Sequence, residues 1–252
     1  MEAKVSDWYK YGWSLDMKNQ SWVEDTKNQV DFIIRTLGLT GKERILDLAC
    51  GFGRHSLAFA RRGYSVVGID ITKEFIEDAA KTAEEEFLDI KFIQSDIRDI
   101  NYQNEFDVVL NLADGAIGYL ENDMENLKIF NVISKALKSG GKHFMDICNA
   151  EYAEHFFPKM GWEIGEKALA LSKFEWEKET RRMLYGGWDI TYGLPVQKPT
   201  IMTGDPIRLY SKTELESILQ QRDMKIIDTF SNYNGEKASH RELQLMIYSI
   251  KQ

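Results

Sequence analysis

The strongest chemical pattern in the sequence is an apolar run that ends in a glycine-rich turn. Residues 45–55 read ILDLACGFGRH, in which Asp47, Gly51 and Gly53 have the spacing Asp-x-x-x-Gly-x-Gly. Glycine lets the backbone turn tightly and approach a ligand with no side chain in the way. The helix expected after the turn offers free N–H groups in its first turn. The pattern therefore predicts a ligand-binding turn at the carboxyl end of a strand.

Two further acidic residues follow the next two apolar runs. Asp70 ends the run 66–70, and a carboxylate about 20 residues after a glycine turn can accept hydrogen bonds from ribose hydroxyls. Asp96 follows the run 90–94 and can accept a hydrogen bond from the amino group of adenine. The three carboxylates together predict a site for a nucleoside.

The turn itself discriminates between two cofactors that contain a nucleoside. A dinucleotide-binding turn usually has a third glycine for close packing, and Ser56 stands at that position here. The carboxylate of Asp47 would repel a pyrophosphate but attract a sulfonium and an amino group. The sequence favours a nucleoside that carries an amino acid over NAD, and a nicotinamide-dependent oxidoreductase is the alternative that NAD binding would support.

Alternating strands and helices are expected to position these residues. Strands are predicted over 44–49, 65–70, 90–94, 106–110, 142–147, 224–230 and 243–250, and helices over 23–37, 54–62, 72–87 and 122–137. Ser211 and Glu214 have capping-box spacing at the start of one more helix. This order predicts an α/β fold with a doubly wound, mostly parallel sheet and helices on both faces.

The order of these elements along the chain predicts four segments. An aromatic arm, 1–22, precedes the core, 23–160; a cap segment, 161–207, then leads to the C-terminal part of the core, 208–252. The arm is expected either to pack as a structural element or to form a lid over an acceptor. The cap segment, rich in proline and aromatic residues, is expected to form short strands and loops that cover the acceptor side, with a plain structural extension as the alternative.

Composition narrows the class of protein further. The chain has 252 residues and a formal net charge of -8, which weighs against a nucleic-acid partner. Two cysteines, Cys50 and Cys148, do not make a disulfide framework, and no His/Cys spacing predicts a metal site. The first residues have no signal-peptide character, and no apolar run approaches membrane-spanning length. We therefore expect a soluble cytoplasmic protein, either a monomer or a homodimer.

The residues Asp47 to His55, with Asp70, Asp96-Ile97 and the Gly140-Gly141 turn, resemble the motifs of class I (Rossmann-like) S-adenosylmethionine-dependent methyltransferases. The stretch from Cys50 to His55 resembles the same region in a bacterial subgroup of small-molecule methyltransferases. The resemblance implies a seven-stranded sheet whose last strand is antiparallel, S-adenosylmethionine as cofactor, and a small molecule methylated on N, O or C. Methylation of RNA or protein is the alternative, followed by cofactor binding without catalysis.

The resemblance also implies a role for individual residues. The cofactor is expected to contact Asp47, Ala49, Gly51, Gly53, Asp70, Ile71, Asp96, Ile97, Asn111 and Thr26. Asp47 and Gly51 are expected at the methionine moiety, Asp70 at the ribose, and Asn111 near the point of methyl transfer. The resemblance does not identify a catalytic residue. The candidates for a general base are Asp114, Tyr119 and His143.

Overall fold

The computed structural model describes residues 7–196 and 205–252. Residues 1–6 of the predicted arm and 197–204 of the predicted cap segment lie outside the described residues. The strands are β1 (Arg44–Leu48), β2 (Ser65–Asp70), β3 (Ile90–Gln94), β4 (Phe106–Asn111), β5 (Leu137–Cys148), β6 (Lys159–Ile164), β7 (Ala168–Glu177), β8 (Arg182–Thr191), β9 (Asp205–Arg208), β10 (Met224–Phe230) and β11 (Gln244–Lys251). The helices are α1 (Ser21–Glu24), α2 (Thr26–Leu37), α3 (Arg54–Ala60), α4 (Lys73–Glu85), α5 (Asp123–Ala136), α6 (Ala150–Phe156) and α7 (Lys212–Gln220), preceded by 3-10 turns at Trp8–Lys10 and Leu15–Asn19.

A seven-stranded sheet in the order β10-β11-β5-β4-β1-β2-β3 forms the centre of the molecule. The pairs from β5 to β3 are parallel, whereas β11 runs antiparallel to both β5 and β10. This confirms the predicted doubly wound sheet with an antiparallel last strand. The strand order reverses between β1 and β4, which is the place where open α/β sheets bind ligands at the carboxyl ends of their strands.

Neighbouring residues on each central strand enter different cores. Ile45 and Val108 pack with helices α2 and α3 on one face, whereas Leu46 and Val109 pack with helices α5 and α7 on the other. Because successive side chains of a strand point to opposite faces, a strand buried on both sides reads as a continuous apolar run. Each such buried aliphatic side chain contributes roughly 1.5–3 kcal/mol, so the two cores hold the sheet and its strand ends firmly in place.

The first predicted helix is interrupted in the structure, whereas the start of α7 is where the sequence predicts it. The helix predicted over 23–37 is divided into α1 and α2, and the Thr26 hydroxyl donates to the Val23 carbonyl at 2.6 Å across the break. The capping box of α7 is confirmed: the Glu214 N–H donates to Ser211 Oγ, and the Ser211 N–H donates to Glu214 Oε2.

The cap segment contains a second sheet, here called the cap sheet, with antiparallel strands in the order β6-β7-β8-β9. Strands β7 and β8 pair along their whole length, from Ala168 opposite Thr191 to Glu177 opposite Arg182, rather than forming short strands and loops. Gly187 lies inside β8, opposite Ser172 of β7. A Cβ at this position would stand only 2.8 Å from Tyr185 Oη, so the glycine marks a close approach within a strand. Within the described ranges, no helix is both long and apolar enough to cross a membrane.

Candidate functional site

A cleft that is open at its mouth lies at the carboxyl ends of β1 to β4. The core side is formed by residues that follow these strands, and the 3-10 turns and α1 of the arm close the opposite side. The lining residues are Tyr9, Trp13, Met17, Trp22, Asp47, Ala49, Cys50, Gly51, Phe52, Arg54, His55, Asp70, Ile71, Thr72, Phe75, Ser95, Asp96, Ile97, Leu112, Ala113, Gly115, Ala116, Tyr119 and Leu120. Seven of the ten residues predicted to contact a cofactor are brought together here: Asp47, Ala49, Gly51, Asp70, Ile71, Asp96 and Ile97.

The glycine-rich turn is held by the acidic residue of the next strand. Ala49, Gly51 and Gly53 all have left-handed backbone conformations, with φ of +55°, +57° and +73°. The Gly51 N–H donates to Asp70 Oδ2 and the Thr72 N–H donates to Asp70 Oδ1, both at 2.8 Å. Since each carboxylate oxygen has two acceptor positions, Asp70 orders the turn and can still accept hydrogen bonds from a diol.

Gly53 is not among the residues that line the cleft. A Cβ at this position would come within 2.8 Å of the Phe92 ring and 3.0 Å of Ala79 Cβ. Its small size therefore lets helix α3 start close to β3 and α4, and the contact with a ligand expected from the sequence stays a prediction.

Asp47 is a buried carboxylate at the base of the cleft, with only 2% of its surface exposed. Burial raises its pKa to about 7, although a hydrogen bond from Ser56 Oγ at 2.6 Å and the charge of Arg54 act in the opposite direction. Ser56, at the position of the absent third glycine, therefore anchors Asp47. A positively charged group that entered the cleft would favour the ionised carboxylate.

Arg54 is the one lysine or arginine among the described residues that line the cleft. Its Nη1 donates to Thr26 Oγ1 at 2.7 Å and to Gln29 Oε1 at 2.6 Å, and its guanidinium lies 5.0 Å from the centre of the Trp22 ring. Burial lowers its pKa to about 10, so it remains charged at neutral pH. Arg54 was not among the residues selected from the sequence, because its orientation depends on Thr26 and Gln29 of α2.

Asp96 and Ile97 line the cleft, as does Ile71. Burial acts to raise the pKa of Asp96, but hydrogen bonds from Arg98 outweigh it and hold the pKa below its usual value. Arg98 Nη2 donates to Asp96 Oδ2 at 2.6 Å, and Arg98 Nη1 pairs with Glu121 and Glu125. Arg98, also missed from the sequence, therefore occupies much of the acceptor capacity assigned to Asp96.

Besides Gly53 and Asp114, three residues singled out from the sequence lie away from the cleft lining. Asn111 is fully buried, and its Nδ2 donates to the Gly115 carbonyl at 3.0 Å. Thr26 lines a neighbouring shallow cleft, where it supports Arg54. His143 is buried in β5 beside Ser249, and burial lowers its pKa to about 3. His143 is therefore a neutral sheet residue in this structure, with no contact to the cleft.

The other two candidates for a general base contact each other. Tyr119 lines the cleft, and its hydroxyl donates to Asp114 Oδ2 at 3.1 Å. Burial, with the nearby charge of Asp146, raises the pKa of Asp114 to about 6, and the Cys148 N–H donates to Asp114 Oδ1 at 3.2 Å. A carboxyl group with a pKa near neutrality, behind a tyrosine that faces a cleft, is suited to accept a proton.

Aromatic side chains of the arm form a wall beside Tyr119. The Trp13 ring stacks on Tyr119 at a centroid distance of 6.1 Å, and Trp8 packs 4.9 Å from the same ring. The Tyr9 hydroxyl donates to Glu121 at 2.8 Å. Lys18 pairs with Asp78 of α4, so the arm is fastened to the core over the cleft.

The raised pKa of Asp47 leads to a prediction about stability. The folded protein holds a proton on Asp47 that the unfolded chain releases near pH 4, so its contribution to stability is lost as the pH rises from about 4 to about 7. We expect Asp47→Asn to gain stability relative to the wild type across this window, by at most ~1.4 kcal/mol per pH unit.

Thermal unfolding of both ligand-free proteins at a series of pH values measures this gain. The comparison cancels the opposite contribution of His143, whose lowered pKa makes stability rise with pH in both proteins. A difference between the two melting temperatures that stays constant across the window would show that Asp47 ionises at its ordinary pKa.

Comparison with known proteins adds independent observations. The sequence model of a family described as "methyltransferase domain" matches residues 39–187. The chain is 35% identical over 148 residues to a ubiquinone biosynthesis O-methyltransferase of Actinobacillus pleuropneumoniae, a match that covers 56% of this chain and 60% of that protein. A match to the Bacillus subtilis protein YqeM covers 48% of each chain at 32% identity. The chain thus spans about half to three fifths of the length of these curated relatives.

Solved structures agree in fold. The S-adenosylmethionine-dependent methyltransferase of Clostridium acetobutylicum superposes with a TM-score of 0.74 at 19% identity, over 90% of this chain and 92% of that chain. CalS10 of Micromonospora echinaspora, an amino pentose methyltransferase solved with bound S-adenosylmethionine, gives a TM-score of 0.63 at 16% identity, over 93% of each chain. At these identities the likeness shows a shared fold.

Proposed function

The chain belongs to the methyltransferase domain family, and on this premise we propose that it transfers a methyl group from S-adenosylmethionine to a small-molecule acceptor. The observation that carries the proposal is the charge arrangement of one cleft. Asp47, Asp70 and Arg54 all line it, and the aromatic wall of Trp13 and Tyr119 closes its far side.

The residues present fit the charges of this cofactor. The Asp47 carboxylate suits the ammonium and sulfonium groups of the methionine moiety, and the Arg54 guanidinium suits its carboxylate. The remaining acceptor positions of Asp70 suit the ribose hydroxyls. Ile71 and Ile97 offer an apolar surface for the adenine ring. A pyrophosphate would find only the single cation Arg54 among the described lining residues, which disfavours a dinucleotide.

Bound S-adenosylmethionine supplies a methyl group that is already activated by a positively charged sulfur. The chain's own part is to hold and orient the two reactants and to exclude water. The strand ends and the glycine turn provide rigid support, because both faces of the sheet are packed. The arm, which we interpret as a lid, shields the cleft with Tyr9, Trp13 and Trp22.

Three features support a small acceptor rather than a macromolecule. The cleft is covered by the arm, whose Asn19 Oδ1 accepts a hydrogen bond from Lys167 Nζ of the cap segment at 3.3 Å. The net charge of -8 repels a phosphate backbone. The Actinobacillus protein is named for ubiquinone biosynthesis and the Micromonospora protein for an amino pentose, and both names denote small molecules.

The proposal predicts that the protein labels a component of a small-metabolite extract. The protein is incubated with that extract and with S-adenosylmethionine carrying a deuterated methyl group, and mass spectrometry then identifies compounds that gain the label. We expect label in at least one small molecule, and about tenfold to a hundredfold slower labelling with Asp70→Ala at a cofactor concentration below the wild-type Kd. Label found only in RNA or protein added in parallel would contradict the small-molecule acceptor, and absence of cofactor binding in calorimetry would contradict the activity itself.

A further inference from the structure

Two tyrosine–aspartate pairs lie at the carboxyl side of the sheet, and they differ in where the tyrosine faces. Tyr119 donates to Asp114 Oδ2 at 3.1 Å, and Tyr233 donates to Asp146 Oδ2 at 2.7 Å. Asp146 is buried and Asp114 is half-buried, and desolvation raises the pKa of each carboxyl group. Of the two tyrosines, only Tyr119 lines the cleft. The first pair can thus exchange a proton with a ligand, and the second serves as an internal comparison.

The backbone that carries Asp114 is strained. Four successive residues, Ala113, Asp114, Gly115 and Ala116, have φ between +50° and +67°, and the left-handed conformation is unfavourable for a residue with a Cβ. Such strain persists only where the surroundings enforce it, and it is concentrated at functional sites.

The surroundings of this turn do enforce it. The Asp114 N–H donates to the Asp146 carbonyl at 2.8 Å, the Gly115 N–H donates to the Leu112 carbonyl at 3.1 Å, and Asn111 Nδ2 holds the Gly115 carbonyl. The result is that Ala113, Gly115 and Ala116 face the cleft, while the Asp114 carboxylate lies behind Tyr119. The fully buried Asn111 therefore acts as a clamp for the turn.

The charges around the Tyr119 end of the cleft are suited to a cation. The rings of Trp8, Trp13 and Tyr119 pack against one another with centroid distances of 4.9 to 6.1 Å, and aromatic faces attract ammonium groups. The ionisable groups around Asp114 are Tyr119, Asp146, Cys148 and Tyr185, none of which carries a positive charge. Arg54, the single lysine or arginine among the described lining residues, is engaged with Thr26 and Gln29 on helix α2.

We propose that the acceptor is an amine that binds as its ammonium ion, and that Tyr119 and Asp114 take its proton before the methyl group is transferred. The inference rests on the proposed function and narrows its acceptor class. In the step, an N–H proton of the ammonium passes to Tyr119 Oη as the Tyr119 proton passes to Asp114 Oδ2. The freed nitrogen lone pair attacks the methyl carbon, and the carbon–sulfur bond breaks with its electron pair left on sulfur. Asp114 then releases the proton to solvent. Tyr119 is the catalytic residue, and Asp114 acts through it.

The first test measures binding without turnover. Primary and secondary amines, and alcohols of matched shape, are titrated into the cofactor-free protein while tryptophan fluorescence reports occupancy beside Trp8 and Trp13. We expect the amines to bind at least tenfold more tightly than the alcohols above pH 6 and to lose this advantage below it, where Asp114 is protonated. The pH effect should be absent in Asp114→Asn. Equal binding of amines and alcohols at all pH values would overturn the proposal.

The second test measures methyl transfer to the amine that binds best, with deuterium-labelled S-adenosylmethionine. We expect Tyr119→Phe and Asp114→Asn to lower kcat about 10²–10⁴-fold near neutral pH, with recovery at high pH where the amine is already neutral. Tyr233→Phe, the matched control, should keep the rate of the wild type. Cofactor affinity by calorimetry should be unchanged in all three variants.

Failure of the proton path or of the amine acceptor can be distinguished from failure of the methyltransferase activity. Variants that bind the cofactor normally and retain the wild-type rate and pH profile would refute the proton path alone. Label found on oxygen, carbon or sulfur in place of nitrogen would refute the amine acceptor while leaving methyl transfer to a small molecule intact. A protein that binds no S-adenosylmethionine would refute the proposed function on which both depend.

Discussion

Replacing Asp70 by alanine is expected to weaken the binding of S-adenosylmethionine about tenfold to a hundredfold. The Asp70 carboxylate accepts hydrogen bonds from Gly51 and Thr72 and is the proposed partner of the ribose hydroxyls. Loss of charge-assisted hydrogen bonds to a ligand costs roughly 1–3 kcal/mol, and each 1.4 kcal/mol is a tenfold change in affinity. Removing the carboxylate also releases the glycine turn, so the loss falls toward the upper end of this range.

Isothermal titration calorimetry with the intact chain measures the effect, and thermal unfolding shows whether the variant is folded. Asp228→Ala is a suitable control, because Asp228 is paired with Lys237 on the surface and lies outside the cleft lining. Asp70→Asn should lose less affinity than Asp70→Ala, since the amide oxygen still accepts one hydrogen bond. An Asp70→Ala protein that is folded and binds with wild-type affinity would refute the ribose assignment.

Replacing Gly118 by alanine is expected to lower the free energy of unfolding by about 2–5 kcal/mol. Gly118 has φ of +88°, and an added Cβ would stand 2.0 Å from the Arg208 carbonyl oxygen. The left-handed conformation costs an alanine roughly 1–2 kcal/mol, and forced overpacking adds about 1–3 kcal/mol. The clash cannot be relieved cheaply, because the Arg208 N–H donates to the Gly118 carbonyl at 2.8 Å and holds the two backbones together.

Gly140→Ala provides the matched control for this loss. Gly140 also has a positive φ, +74°, but nothing lies within 4 Å of an added Cβ, so only the conformational cost of about 1–2 kcal/mol applies. Denaturation by urea gives both free energies. Similar losses for the two variants would mean that the contact between Gly118 and Arg208 is looser than the structure shows. A larger loss for Gly118→Ala would confirm that the β4–α5 connection and strand β9 are tightly joined beside the cleft.

The fold could be read from the sequence because its signal is local. A strand buried on both faces is mostly apolar, as at Ile45, Leu46 and Leu48 of β1, and a crossover helix must separate parallel strands. The cap sheet was harder to foresee. Its glycine pair lies within β8 opposite Lys173 and Ser172, and only the pairing with β7 shows that these glycines continue a strand.

The residues of the candidate site also fall into those that the sequence could place and those that it could not. Residues at the ends of β1, β2 and β3 could be placed from the sequence, since parallel strands that are neighbours end at a common edge. Arg54 and Arg98 could not be selected, because their orientations depend on partners 23 to 28 positions away, such as Thr26 and Glu121. Asn111 was selected because the family resemblance implies a role at the end of the fourth strand, and His143 was a candidate base. Both side chains are fully buried.

The sequence by itself determined the doubly wound sheet, the glycine turn and the carboxylates at three neighbouring strand ends, because these follow from spacing along one continuous chain. The tertiary structure alone decided which polar groups face the cleft and which partners they have. Whether Asp114 is a lone carboxylate or the partner of Tyr119 depends on a left-handed turn held by Asn111 and Asp146. A side chain's burial and its partners are properties of three-dimensional packing, and it is these that set its pKa and its chemistry.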